Sequence, residues 1–170
     1  FGSNSKITFE LDNKYKIKNL SIKSKINMKK IFINYKSQRI KKYFNNFDNK
    51  IKLSNSKFEF DFNKSDFILD IKSKYSIKDR DDEIALRIRK DDQSYKFETN
   101  IGLKSSEIQI KELDYKKKIN INSSIYLNAI YKKNKEIFFN EIEFKEDEKS
   151  LLIKNLDLGR NDKIKNLDLL

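Results

Sequence analysis

The stretch that decides the fold is KFEFDFNKSDFILDIKSKYSIK, residues 57–78. Phe58, Phe60 and Phe62 alternate with polar residues, a polar break follows at 63–66, and the same alternation then resumes. Alternation with a period of two on both sides of a short turn predicts a β-hairpin that has one apolar face and one polar face.

The same alternation recurs along most of the chain, and its longest run is Ile119–Tyr131. Only Ser37–Phe47 shows the i, i+3, i+4, i+7 spacing of a short amphipathic helix, with Ser37 as its candidate cap. The chain has three Gly and no Pro, which favours a long meander with few tight corners. The sequence therefore predicts an all-β fold, a long, mostly antiparallel, meandering and curved sheet that forms an open groove, with one short helix.

Two breaks in the alternation, at Asn19-Leu20 and near Lys111-Glu112, predict a bulge or a turn. The phrase IKNL occurs at Ile17, Ile153 and Ile164, and the last two copies are 11 residues apart, about one strand and its turn. This spacing suggests a serial β-repeat in which each unit buries its apolar face against its neighbours.

The length of the chain indicates its domain organisation, and the distribution of its charges indicates the kind of partner it binds. The 170 residues fit one β-rich unit, 1–170, and a chain that opens at Phe1 and closes within an apolar-alternating run is expected to be a segment of a longer protein. Residues 1–78 contain 19 Lys or Arg and 7 Asp or Glu, whereas residues 79–170 contain 19 of each. This asymmetry indicates an anionic surface near the first half, either lipid headgroups or nucleic acid.

Most catalytic chemistry is disfavoured by composition. The chain contains no His and no Cys, which removes the usual catalytic triads and zinc sites. The acidic clusters Asp79–Glu83 and Glu146–Glu148 are predicted to be solvated turns, because acidic residues are common there. We expect no enzyme activity, no catalytic residue, no metal and no cofactor.

A sheet with one apolar face must hide that face in a closed barrel, in a two-layer sandwich or against a ligand in a groove. The alternation alone does not decide between a ligand groove, an ordinary sandwich core and a structural, adhesin-like sheet. Nucleic-acid binding is a further alternative, because aromatic residues lie among the lysines of the first half. These residues are Tyr15, Tyr35, Tyr43 and Phe44. Their parity matches that of the neighbouring Ile and Leu, so we expect them in the core and expect no nucleic-acid partner.

The phrase I-x-N-L-x-L/I at Ile17, Ile153 and Ile164, together with the run Ile125–Leu158, resembles AsmA-like envelope proteins, especially their YhdP-type central region. The resemblance implies a repeating β-groove in the periplasm, attached to the inner membrane through a segment outside this chain. It implies a non-enzymatic role in phospholipid transfer between the inner and outer membranes. The implied partners are phospholipid acyl chains and an anionic membrane surface near residues 1–78.

The resemblance also implies which residues form the binding site. The inward apolar positions of the predicted strands would line the groove and contact the acyl chains. These positions are Phe58, Phe60, Phe62, Phe67, Leu69, Ile71, Ile84, Leu86, Ile88, Phe97, Ile101, Leu103, Ile121, Ile125 and Leu127.

Overall fold

The computed structural model describes residues 1–44, 47–64, 66–77, 80–90, 93–111, 114–132, 137–158 and 164–169. In chain order the elements are β1 (Gly2–Leu11), β2 (Ile17–Asn34), α1 (Gln38–Tyr43), β3 (Lys50–Asn63), β4 (Asp66–Ser76), β5 (Asp81–Lys90), β6 (Ser94–Gly102), β7 (Ile108–Ile110), β8 (Tyr115–Lys117), β9 (Ser123–Lys132), β10 (Ile137–Glu146), β11 (Lys149–Leu158) and β12 (Ile164–Leu169). The fold is therefore almost entirely β, as the alternation predicts.

Ten of the described strands form one antiparallel sheet in the order β1-β2-β3-β4-β5-β6-β9-β10-β11-β12. Strands β7 and β8 leave this sheet and pair with each other as a separate hairpin. In the part of the chain that the structure describes, β1 and β12 are the two edges of the sheet, which is therefore open. The prediction of an all-β, antiparallel meander is confirmed.

The hairpin of β3 and β4 follows the predicted pattern. Phe58 pairs with Ile71 and Phe62 pairs with Phe67, so the apolar residues of both strands lie on one face. Lys64, in the turn between them, has a left-handed φ of 54°. The alternation in the sequence thus fixes both the pairing and the face of this hairpin.

Asparagines in the left-handed conformation interrupt several strands. Asn19 in β2, Asn55 in β3 and Asn155 in β11 have φ values of 51°, 53° and 53°. The pairing register shifts beside Asn19 and Asn55, which makes these positions β-bulges. Asn tolerates this conformation better than most residues, and bulges bend strands, so the sheet is curved. The break predicted at Asn19-Leu20 is confirmed, and the first two IKNL phrases place Asn at corresponding left-handed positions.

The two faces of the sheet differ in chemistry. We call the face that carries Phe58 the apolar face and the opposite one the polar face. On the polar face Lys23 pairs with Asp61 at 3.1 Å, and Lys25 pairs with Glu59 at 3.2 Å. Exposed ion pairs of this kind contribute little stability, but they keep the polar face solvated.

The two ends of the sheet also differ. Helix α1 joins β2 to β3, and the β7–β8 hairpin lies between β6 and β9, so both insertions are at the same end and contact each other. We call this the capped end, and we call the opposite end, which carries the short turn at Lys64, the open end. The Ser37 Oγ accepts a hydrogen bond from the Ile40 amide, which confirms the predicted cap, but α1 ends at Tyr43.

Two local predictions are wrong. Strand β9 begins at Ser123, so Ile119 and Ile121 precede it, because Asn120 takes a left-handed φ of 67°. Asp81 and Asp82 belong to β5 and not to a turn. Strands β7 and β8 pair as a hairpin on either side of the break predicted near Lys111-Glu112, which confirms a turn between them; Glu112 itself lies outside the described residues.

Candidate functional site

Aromatic rings form a continuous strip on the apolar face near the open end. The ring centroids of Phe60 and Phe67 are 6.0 Å apart, those of Phe67 and Tyr95 are 6.1 Å apart, and those of Tyr95 and Tyr131 are 6.4 Å apart. These distances lie in the range in which aromatic pairs attract one another. The strip therefore joins β3, β4, β6 and β9 across the sheet.

The strand register arranges the predicted lining residues in rows across the sheet. Nearest the open end is the row of Phe62, Phe67, Lys90, Tyr95 and Tyr131. The next rows are Phe60, Leu69, Ile88, Phe97 and Ala129, then Phe58, Ile71, Leu86, Thr99 and Leu127, and then Ser73, Ile84, Ile101 and Ile125. All predicted lining residues that belong to the ten-stranded sheet thus share one face.

This face is only partly covered. Fourteen of the fifteen predicted lining residues are partly exposed, and the exception is Leu103, which is 1% exposed at the capped end. Among the described residues, the buried apolar side chains are Phe47, Tyr75, Leu103, Ile108 and Ala129. The accessible surface is 12458 Å², whereas a compact protein of this mass exposes about 8,800 Å². The apolar face therefore lacks the covering layer of a globular core.

A buried polar network closes the capped end. Asp82 is 7% exposed, and its carboxylate accepts hydrogen bonds from the Ser105 amide at 3.0 Å and from the Ser106 hydroxyl at 3.3 Å. The Tyr75 hydroxyl donates to the Gly102 carbonyl at 2.6 Å. Burial, reinforced by the charge of Asp82, raises the pKa of Tyr75. The prediction that the acidic cluster around Asp82 is a solvated turn is therefore wrong for Asp82.

Strand β8 lies over the apolar face at this end. The Tyr115 ring meets the Phe144 ring edge-on with centroids 5.9 Å apart, and the Tyr115 hydroxyl hydrogen-bonds to Glu146. Lys117 is buried, and its ammonium donates to the Lys118 carbonyl at 2.9 Å. Burial lowers the pKa of Lys117, and the charges of Asp82 and Glu146 partly offset this effect. These aromatic and polar contacts hold the β7–β8 hairpin in place over the sheet.

The expected burial of the aromatic residues in the basic half is wrong. Tyr15 is 85% exposed in the turn between β1 and β2, and Tyr35 is 52% exposed after the end of β2. Tyr43 is also exposed, and Phe44 is partly exposed. These residues lie at turns and in α1, where parity along a strand does not determine which side chains are buried.

Several residues of the apolar face were not among the predicted lining. Tyr95 and Tyr131 belong to the aromatic strip, and Phe139 and Phe144 extend the rows onto β10. Lys90 is partly exposed and lies in register between Phe67 and Tyr95. The alternation in the sequence could have indicated Tyr95 and Tyr131, but the bulge at Phe139/Glu141 hides the parity of β10.

Neither a metal-ligand cluster nor a membrane-spanning helix occurs among the described residues. In the residues that the structure describes, no three His, Cys, Asp or Glu side chains are grouped so that they could hold a metal ion. Among the described helical residues, no helix is long and apolar enough to cross a membrane. The polar face carries shallow depressions, one of about 510 Å³ lined by Lys57, Lys72 and Glu83 among others. Their charged lining makes them less suited to an apolar ligand than the opposite face.

Comparisons with protein families, with characterised proteins and with solved structures found no match to this chain. The candidate site is therefore defined by the chain's own geometry. It is the partly exposed apolar face from β3 to β10, with an aromatic strip at the open end and a buried polar network at the capped end. A surface of this kind is chemically suited to apolar ligands, because burying its side chains removes apolar area from water.

Proposed function

We propose that the apolar face binds phospholipid acyl chains and that this chain is a segment of an AsmA-like, YhdP-type β-groove protein in the periplasm. Its role is non-enzymatic transfer of phospholipid between the inner and outer membranes. The observation that carries the proposal is the partly exposed apolar face, which extends over the six sheet strands from β3 to β10 and has no covering layer among the described residues except at the capped end.

The energetics favour an acyl chain as the ligand. Each buried methylene contributes about 0.8 kcal/mol. A strand of ten residues extends about 33 Å, so one fatty acyl chain can lie parallel to the strands, across the rows, without leaving the face. The rows between Phe60 and Ile125 contain mostly Ile, Leu and Phe. The hydroxyls of Thr99 and Ser73 are hydrogen-bonded within the chain, so the surface needs no polar partner from a ligand. A ligand of this kind would cover the apolar area that the fold leaves exposed.

The first experiment measures contact with lipid directly. A photoreactive phenylalanine analogue replaces Tyr131 on the apolar face, and the matched control replaces Tyr126, which lies on the polar face of the same strand and is near Glu98. With radiolabelled phospholipid, we expect crosslinking from position 131 and little from position 126. Equal labelling at both positions would overturn the proposal.

The second experiment separates a groove from a sealed core. Leu127 is partly exposed on the apolar face, so Leu127→Asp should leave the protein folded by circular dichroism while lipid crosslinking at position 131 falls. In a sealed core the same change would bury an unpaired carboxylate and unfold the domain. Global unfolding of this variant, with no lipid captured by the parent protein, would favour a structural, adhesin-like sheet instead.

A further inference from the structure

The positive charge of the chain is concentrated at the capped end, on the side of β2 and β3. Residues 29–52 contain eight Lys or Arg and one acidic residue, Asp48, and so account for seven of the twelve net positive charges. The Asp48 carboxylate accepts a hydrogen bond from the Lys50 amide, and Lys52 lies 3.9 Å from Asp81. Within residues 29–52 a single carboxylate is therefore set against eight cationic side chains.

Exposed aromatic residues accompany these cations. Phe32 is 62% exposed near the end of β2, and Tyr35 and Tyr43 are exposed beyond it. The Lys30 ammonium lies 5.3 Å from the centroid of the Phe32 ring, and the Lys42 ammonium lies 5.4 Å from that of Tyr43. We call these residues, which lie at the end of β2 and in α1 at the capped end, the basic aromatic patch.

We propose that the basic aromatic patch docks on the surface of an anionic lipid bilayer and so turns the capped end toward a membrane. The inference sharpens the proposed lipid-transfer function and rests on it. Lysines near an anionic bilayer are attracted by its negative surface potential, and tyrosine and phenylalanine rings favour the headgroup region. Charge and aromatic character thus fit the same partner.

A single-stranded nucleic acid is the rival partner for a basic surface with aromatic rings. Base stacking needs accessible ring faces. One face of the Phe32 ring and one face of the Tyr43 ring are covered by lysine ammonium groups. Insertion of the ring edges among headgroups does not need those faces, so the geometry favours the bilayer.

The chain offers a matched control at the other end of β2. Tyr15 is exposed and flanked by Lys14 and Lys16, as Tyr35 is near Lys36. The two tyrosines are 20 residues apart along one strand, which corresponds to about 60 Å. A bilayer that binds the capped end of the sheet end-on therefore does not reach Tyr15 at the other end.

The experiment uses tryptophan as a local reporter, because the chain has none. In the full chain, Tyr35→Trp should shift its emission to the blue with vesicles that contain phosphatidylglycerol, but not with pure phosphatidylcholine vesicles. Tyr15→Trp should not shift with either. A shift of Tyr15→Trp alone, or of both reporters equally, would overturn the assignment of the patch.

Charge variants test the same surface independently. Neutralising Lys30, Lys36 and Lys41 together to Gln should weaken vesicle binding roughly 100-fold. Neutralising Lys14, Lys16 and Lys18, the matched control, should change binding much less. Equal losses would mean that net charge alone binds vesicles, and displacement of the vesicles by a single-stranded oligonucleotide would assign the patch to nucleic acid. Either result would overturn docking on a bilayer.

The outcomes also distinguish this inference from the proposed function. Docking is measured by tryptophan emission, whereas acyl-chain binding is measured by crosslinking at position 131. Docking without crosslinking would leave the patch assigned and remove the groove function. Crosslinking without docking would leave the groove function and remove the patch as a membrane contact.

Discussion

The open end and the capped end of the apolar face are built from the same strands but have different interiors. At the open end, Phe62, Phe67, Tyr95 and Tyr131 are partly exposed in an aromatic strip. At the capped end, the β7–β8 hairpin covers the sheet and Leu103 becomes buried. A single sheet layer therefore acquires a buried core only where an insertion folds back over it.

The two ends also differ in the polar groups that they bury. The capped end buries Asp82 and Lys117, and each finds a hydrogen-bond partner in the hairpin or in the connecting segments. Buried polar groups are costly unless they are paired, so this arrangement specifies one position for the hairpin. The open end imposes no comparable requirement, which leaves its surface available to a ligand.

The largest expected effect contrasts two leucines. Leu103→Ala at the capped end should lower the free energy of unfolding by about 3 kcal/mol, because it leaves a cavity at a buried site. Leu69→Ala, on the partly exposed rows near the open end, should lower it by about 1 kcal/mol. Urea denaturation followed by circular dichroism measures both values. Similar losses for the two variants would mean that the two ends do not differ in packing.

A smaller effect is expected from the buried network. Asp82→Asn replaces an acceptor of the Ser105 amide by a group that also carries donors, and it should cost about 1–3 kcal/mol in unfolding free energy. The control Asp61→Asn changes an exposed carboxylate on the polar face and should stay within about 0.5 kcal/mol. If the two variants unfold at the same urea concentration, the network does not stabilise the capped end.

The smallest effect appears at alkaline pH. Burial raises the pKa of Tyr75 above its ordinary value of 10.0, and burial with a hydrogen bond to Glu146 does the same for Tyr115. The unfolded chain then releases these protons first, so the stability they contribute is complete below pH 10 and is lost as the pH rises above it. Each tyrosine contributes a slope of at most about 1.4 kcal/mol per pH unit.

Titrating the unfolding free energy of the parent and of Tyr75→Phe from neutral to alkaline pH measures this slope. The variant should be less stable at neutral pH, because it loses the hydrogen bond to Gly102, and it should lose less stability above pH 10. Parallel curves for the two proteins would contradict burial as the origin of the effect.

The sequence predicts the open end better than the capped end. Period-two alternation assigns Phe58, Phe60 and Phe67 to one face, because the side chains of a strand point alternately to its two sides. The break at Asn19 could be predicted for the same reason, since a bulge reverses the parity. Both features depend on neighbouring residues only, so the sequence pattern is sufficient.

The capped end depends on contacts between distant residues. Asp82 is buried because Ser105 and Ser106, more than 20 residues away, supply its donors. The strands of the β7–β8 hairpin have three residues each, too few to display a clear period. The acidic run around Asp82 therefore has the composition of a solvated turn, and its burial could not be predicted locally.

The chain order of the sheet has a consequence for how the molecule assembles. Apart from the excursion between β6 and β9, each strand of the sheet pairs with the strand that precedes it in the chain. Such pairing keeps contacting residues close in sequence, which lowers the entropy cost of loop closure and favours rapid folding. The sheet can grow one strand at a time from either side, and the joining of β9 to β6 around the hairpin requires closure of the longest loop between neighbouring strands of the sheet.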